Sequence, residues 1–129
     1  IEADFDQFKT STQHLANLIS GTSTRLIVVG GAGSLYIDES LSRQLYETED
    51  FPDFIRPTAF AASQALEALR HREDVLWTYI SPAILFDYKA ERSGTYKVAG
   101  EILMYNQKHE SRISSGKNIQ KRISFYQEY

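Results

Sequence analysis

Residues 25–36, RLIVVGGAGSLY, decide the fold class of this sequence. Four apolar residues follow Arg25, and the run ends in Gly30 and Gly31. Three of the four are β-branched, which favours a strand, and a short run without any polar position is typical of a strand buried on both faces in a parallel sheet. We therefore predict a buried parallel strand with a glycine-rich loop at its carboxyl end.

The segments around this strand predict an α/β fold. Residues 5–19 carry apolar positions at helical spacing, with Gly21 just beyond as a C-terminal cap. Residues 32–53 follow neither helical nor strand periodicity and predict a long loop. A second helix is expected to begin near Pro57 or Thr58 and to bury one face, formed by Ala59, Ala62, Leu66 and Leu69.

A second strand is predicted over residues 75–80, ended by Ser81 and Pro82. Trp77 and Tyr79 alternate along it with smaller residues and are expected to pack in the core. Strand, helix and strand at this spacing predict a βαβ unit with a right-handed crossover. We also predict a hairpin over residues 95–103 and a last strand over residues 119–126.

Composition restricts the class of protein. The chain has 129 residues, which fits one domain over residues 1–129, and 14 basic against 17 acidic side chains give a net charge of −3. That balance argues against a dedicated nucleic-acid binder. Apolar runs are too short for a membrane span, and the first six residues lack the basic start of a secretion signal. The absence of cysteine fits a reducing compartment, so we expect a cytoplasmic protein.

The glycine loop is the first candidate site. Ligands of open α/β sheets bind at the carboxyl ends of the strands, glycines allow close approach of a backbone, and Ser34 adds a hydroxyl. The alternative is a turn that only reverses the chain. The loop does not match the dinucleotide fingerprint, the P-loop or the nucleophile elbow.

The second candidate is Ser81-Pro82-Ala83, which is expected at the same edge of the sheet, although the proline could simply end the strand. We predict that both candidates line one pocket. His14, His71 and His109 share no ligand spacing, so no metal site is expected. The basic residues 70–72 complement the dipole of the second helix at its carboxyl end and need no ligand.

Four segments carry a family resemblance: residues 25–35 (RLIVVGGAGSL), 50–52 (DFP), 77–82 (WTYISP) and 111–114 (SRIS). In this order they resemble the NADH-flavin reductase-like branch of the atypical short-chain dehydrogenases, which are NAD(P)-binding proteins related to biliverdin reductase B. The resemblance covers about residues 10–114. It implies a Rossmann-like, doubly wound parallel sheet that uses NAD(P)H.

The resemblance also has two departures. The family begins with a nucleotide-binding half whose Gly-x-x-Gly-x-x-Gly loop holds the pyrophosphate, and residue 1 falls after that half. A helix of about four turns that precedes the family's final strand is missing after Ser114. The sequence is therefore expected to come either from a truncated and internally deleted product or from part of a longer protein.

The resemblance implies a binding role for the glycine loop and for residues 81–83. It implies that the glycine loop flanks the nicotinamide ribose and that residues 81–83 lie beside the nicotinamide ring. Ser34 is then the candidate catalytic residue, and the candidate cofactor-binding residues are Gly30, Gly31, Ala32, Ser81, Pro82 and Ala83. The Tyr-x-x-x-Lys pair of full short-chain dehydrogenases has no counterpart, because residues 60–64 read FAASQ.

These observations predict an NAD(P)H-dependent reductase that passes hydride to a small-molecule acceptor such as a flavin or a quinone. Positioning supplies much of the rate of such a transfer, and the conjugated acceptor spreads charge. The alternative is a non-catalytic NAD(P)-sensing or protein-interaction module on the same fold. A third possibility is that the chain alone has no activity.

Overall fold

The computed structural model of the chain describes residues 4–87, 98–105, 112–114 and 123–128. Helix α1 spans Gln7–Ile19 and helix α2 spans Arg56–Arg70. The strands are β1 (Arg25–Val29), β2 (Leu76–Pro82), β3 (Leu85–Asp87), β4 (Arg112–Ser114) and β5 (Ile123–Glu128). The predicted long loop holds short 3-10 turns, at Ala32–Ser34, Leu45–Glu47 and Asp53–Ile55, and an isolated antiparallel bridge between Tyr36 and Gln44.

The main sheet has the strand order β1-β2-β5, and β3 pairs with β4 in a separate parallel pair. Strands β1 and β2 are parallel, with Val29 opposite Ile80, whereas β5 is antiparallel to β2. Consecutive parallel strands on either side of α2 confirm the predicted α/β fold.

Strand β2 is longer than predicted. Ser81 and Pro82 were expected to end it, but they lie opposite Ser124 and Ile123 in the ladder with β5. The prediction was wrong because a strand from the distant end of the chain supplies partners that local sequence does not reveal. The predicted last strand is confirmed from Ile123 onward, and residues 119–122 lie outside the described residues.

The core lies on one face of the sheet. Val28, Trp77 and Tyr79 project toward the helices and pack against a set formed by Ala16, Leu66, Leu69 and Val75. Ile27 and Val29 point to the other face and are 59% and 56% exposed. The prediction that β1 is buried on both faces is therefore wrong. Alternate residues of a strand point to opposite faces, and the two described helices pack on only one of them.

Helix α2 buries more than one narrow stripe. Leu66 and Leu69 are buried as predicted, but Ala59 and Ala62 are partly exposed. Ala61, Ser63 and Ala65 are buried in their place. The helix contacts α1 on one side and the turn Ala32–Ser34 on another, so its buried surface is wider than a single helical stripe.

The predicted hairpin lies partly outside the described residues. In its described part, residues 98–103, Ile102 forms an isolated parallel bridge with Tyr36, and Val98 to Gly100 form no strand. Neither of the described helices is long and apolar enough to cross a membrane.

Candidate functional site

The two candidate loops leave the sheet at the same end. Because β1 and β2 are parallel neighbours, the glycine loop follows β1 beside the end of β2, and the Gly30 N–H donates to the carbonyl of Ile80 at 2.9 Å. The turn Ala32–Ser34 contacts both β2 and α2. The structure thus places Gly31, Ser34, Ser81 and Pro82 at one edge, and their role in binding stays a prediction.

The glycines of this loop serve different purposes. A Cβ on Gly30 would lie 1.9 Å from the Tyr79 hydroxyl oxygen, and one on Gly33 would lie 2.7 Å from the Ala59 Cβ. Both are therefore required by packing. Gly31 has an extended backbone, with φ −139° and ψ 176°, and no heavy atom within 4 Å of the Cβ position. Neither strain nor packing within the described residues explains the glycine at position 31.

Tyr79 packs against the glycine loop and against α2. Its side chain is fully buried, and its hydroxyl donates to the carbonyl of Ala62 in α2 at 3.2 Å. Burial raises the pKa of Tyr79 to about 12. The Ser34 hydroxyl has a smaller, opposite effect on this pKa. The phenol therefore stays protonated at neutral pH. Alternation in β2 correctly indicated a core residue, but it did not indicate that the hydroxyl touches both the loop and the helix.

The predicted site residues divide by exposure. Gly30, Gly31 and Ala83 are partly exposed, whereas the buried members are Ala32, Ser34, Ser81 and Pro82. The Ser34 hydroxyl interacts with that of Tyr79, but no group of the described residues lies at full hydrogen-bonding geometry from it. Leaving a buried polar group unpaired costs about 1–3 kcal/mol. Ser34 therefore retains hydrogen-bonding capacity at the end of β1.

An aromatic pair adjoins the glycine loop. The rings of Tyr46 and Phe60 meet edge to face, with centroids 6.0 Å apart and an angle of 65°. A Cβ on Gly33 would lie 3.5 Å from the Tyr46 Cβ and 3.6 Å from the Phe51 Cζ. Sequence reasoning missed this pair because the loop has no periodicity, and the only signal was the density of aromatic residues in the loop.

Arg56, the first residue of α2, fixes the shape of this loop. Its guanidinium donates to the carbonyl of Tyr46, to that of Thr48 at 3.2 Å and to that of Phe51 at 2.7 Å. It also pairs with Asp53 at 3.0 Å and lies 5.7 Å from the centre of the Phe51 ring. One side chain thus binds three backbone positions of the loop.

The basic residues at the end of α2 are held by carboxylates. Arg70 pairs with Glu101 at 2.5 Å and Arg72 with Asp74 at 2.7 Å, while His71 lies 3.3 Å from Glu67. Each residue of the basic cluster thus has a carboxylate partner. The described ranges contain no group of three metal-ligating side chains, and His109 lies outside them.

Several known proteins are similar to this chain. No protein-family model matches the sequence. The uncharacterized protein YwnB of Bacillus subtilis is 41% identical over 91 residues, which cover 70% of this chain and 43% of YwnB. The structure of a "putative NADH-flavin reductase" from Streptococcus pneumoniae matches with a TM-score of 0.84 and 36% identity, over 96% of this chain and 65% of that one.

A "putative exported protein" from Burkholderia pseudomallei matches with a TM-score of 0.79 and 27% identity, over 99% of this chain and 66% of that one. The chain thus spans less than two thirds of the length of each of these proteins. The predicted resemblance to NADH-flavin reductases is confirmed by structure. The fold corresponds to part of a Rossmann-like NAD(P)-binding fold.

Proposed function

We propose that this chain carries the nicotinamide end of the site of an NAD(P)H-dependent reductase whose hydride acceptor is a conjugated small molecule. The observation that carries this proposal is the open backbone at Gly31, at the carboxyl end of a parallel strand. A backbone without a Cβ at this edge admits a ribose or a flat ring in van der Waals contact. The match to a "putative NADH-flavin reductase" supports the same reaction class.

The residues at this edge fit a nicotinamide nucleotide. The backbone of residues 30–32 would contact the ribose, the Ser34 hydroxyl would hydrogen-bond the bound nucleotide, and residues 81–83 would border the ring. A bound reduced nicotinamide supplies a hydride, which together with a proton from solvent converts an oxidised acceptor into its reduced form. The protein's own contribution is orientation, because no Tyr-x-x-x-Lys pair stands on α2.

The affinity of this chain for NAD(P)H depends on whether it can bind the pyrophosphate. In loops with a Gly-x-x-Gly-x-x-Gly motif, backbone N–H groups at a helix N-terminus bind the pyrophosphate. This sequence has no such motif. We therefore expect these 129 residues to bind NAD(P)H much more weakly than a longer relative does. Titration of NADH and NADPH into both proteins measures the difference, and micromolar binding by the monomeric chain would contradict this expectation.

Activity is tested by mixing the purified chain with FMN and either NADH or NADPH without oxygen and following flavin reduction. Ser34→Ala is expected to lower turnover about tenfold to a hundredfold, the lower range of general acid–base effects. Ser42→Ala is the matched control, since Ser42 is an exposed serine of the same loop. A longer relative with the corresponding substitution provides the same comparison at higher activity.

The outcomes separate the alternatives. Complete loss of activity in Ser34→Ala would make Ser34 the proton donor and would contradict a positioning role. Nicotinamide binding without flavin reduction would favour the NAD(P)-sensing module. Absence of both from the chain and from its longer relative would overturn the proposed function.

A further inference from the structure

Three polar groups, on Ser34, Tyr79 and Ala62, form a hydrogen-bond series from the glycine loop into helix α2. The Tyr79 phenol donates to the Ala62 carbonyl at 3.2 Å, and the Ser34 hydroxyl interacts with the phenol. Ser34 is 5% exposed and Tyr79 is fully buried. Bulk water therefore has little access to either hydroxyl, and the neighbouring protein groups decide where each proton points.

The series has a fixed direction. A peptide carbonyl accepts hydrogen bonds and cannot donate one, so the phenol must donate its single proton to Ala62. Burial raises the pKa of Tyr79, which keeps that proton in place at neutral pH. Toward Ser34 the phenol oxygen can then only accept. The Ser34 hydroxyl lowers the pKa of Tyr79, which is the effect of a hydrogen bond donated to the phenol oxygen.

This direction leaves Ser34 as an acceptor toward a ligand. A serine hydroxyl has one proton and two lone pairs, and the lone pairs remain when the proton points at Tyr79. No group of the described residues reaches the Ser34 oxygen at full hydrogen-bonding geometry. A ligand that brings an N–H or an O–H can satisfy this oxygen, whereas a carbonyl or a carboxylate would meet it oxygen to oxygen.

We propose that Tyr79 is a positioning residue that holds Ser34 as a hydrogen-bond acceptor, and that Ser34 accepts from the amide N–H of the nicotinamide. This inference rests on the proposed reductase function. A ribose hydroxyl can donate or accept, so a fixed direction would not select it, whereas an amide NH₂ can only donate. The series ends on a peptide carbonyl, which has no proton to give. Ser34 therefore draws no proton from the interior, which agrees with a proton supplied by solvent.

The first test examines the direction of the series without any ligand. The carbon–oxygen stretching frequency of a phenol falls when its oxygen accepts a hydrogen bond and rises when its proton is donated. Infrared spectra of the whole chain with isotope-labelled tyrosine are expected to show a higher Tyr79 frequency in Ser34→Ala, and the loss of the band in Tyr79→Phe identifies it. Ser42→Ala, at an exposed serine of the same loop, is the control. An unchanged frequency in Ser34→Ala overturns the inference.

The second test compares reduced nucleotides by NMR titration, which also measures weak affinities. The acetylpyridine analogue of NADH carries a methyl group in place of the amide NH₂, whereas the thionicotinamide analogue keeps the NH₂. The whole chain is expected to bind the acetylpyridine analogue about threefold to tenfold more weakly than NADH, the effect of one hydrogen bond. The thionicotinamide analogue is expected to bind within about twofold of NADH, since it retains that bond.

The variants show whether Tyr79 acts through Ser34. Ser34→Ala and Tyr79→Phe are each expected to reduce the difference between NADH and the acetylpyridine analogue to about twofold or less. Tyr105→Phe, which removes the hydroxyl of a 49% exposed tyrosine, should retain the full difference. A merely structural role of Tyr79 would weaken the binding of all three nucleotides equally and leave the difference unchanged.

The outcomes separate this inference from the proposed function. Equal affinities of the unmodified chain for NADH and the acetylpyridine analogue, or a difference that survives in Tyr79→Phe, overturn the inference and leave the reductase in place. Absence of nucleotide binding by the chain and by its longer relative overturns the proposed function and the amide assignment together. Circular dichroism identifies the variants that are folded. If Tyr79→Phe does not fold, Ser34→Ala decides alone, because a difference that survives in it also overturns the inference.

Discussion

The two faces of the main sheet differ although the same strands form both. On the helix-covered face Val28, Trp77 and Tyr79 are buried, whereas on the open face Ile27 and Val29 are more than half exposed. The residue types of β1 do not distinguish the faces, since all four of its apolar residues suit a buried strand. Apolar composition therefore indicates which residues can be buried, while the elements packed beside the sheet decide which residues are buried.

The largest expected effect is on the covered face. Trp77→Ala is predicted to lower the free energy of unfolding by about 3–5 kcal/mol, because it removes a fully buried indole and leaves a cavity. Ile27→Ala on the open face is the matched control and should change stability by less than about 1 kcal/mol. Urea denaturation followed by circular dichroism measures both. Equal losses would show that the open face is covered in solution.

Tyr79 on the covered face is expected to make the free energy of unfolding depend on pH. Burial raises the folded-state pKa of Tyr79 from 10.0 to about 12, so the unfolded chain ionises first as the pH rises. The stability from the protonated phenol is fully present below pH 10 and is lost between about pH 10 and 12, by roughly 2–3 kcal/mol in all. Urea denaturation at several alkaline pH values tests this, and Tyr79→Phe should have a flatter profile. An identical profile in that variant would contradict the assignment.

The glycine loop allows a finer comparison. Gly30→Ala is predicted to cost about 1–3 kcal/mol, since its Cβ would overlap the Tyr79 hydroxyl, which overpacks the core. Gly31→Ala should leave stability within about 0.5 kcal/mol, because the backbone is extended and the space is open. If position 31 contacts a nucleotide, Gly31→Ala should instead weaken NADH binding. A large loss of stability in Gly31→Ala would show that the space beside Gly31 is not open, and the proposed function would lose its main support.

The smallest expected change in stability concerns the open face. Exposed apolar side chains on the outermost described strand favour association between copies of the chain. Ile27→Lys is predicted to change the free energy of unfolding by less than about 0.5 kcal/mol and to reduce light scattering at high protein concentration. Thr24→Lys, also at an exposed position, controls for added charge. Equal reductions by both variants would show that charge alone is responsible.

Local patterns predicted the elements but not the contacts between them. Helical spacing indicated α1 and α2, β-branched composition indicated β1, and the glycine loop and Ser81 were correctly placed at one edge because parallel strands share their direction. The end of β2 was missed because it depends on β5, about forty residues further along the chain. The Tyr79 hydroxyl contact and the Tyr46–Phe60 pair were missed for the same reason, since each joins segments that sequence periodicity treats separately.

The contacts of Arg56 allow the loop of residues 46–51 to change its side chains without changing its path. The guanidinium binds main-chain carbonyls at positions 46, 48 and 51, and every residue type has such a carbonyl. Substitutions at these positions can therefore alter the chemistry presented to a ligand while the path of the loop is kept. Arg56 itself has no such freedom, because lysine lacks the planar array of donors that reaches several carbonyls at once. Among homologues, we expect the side chains at positions 46, 48 and 51 to vary and arginine at position 56 to persist.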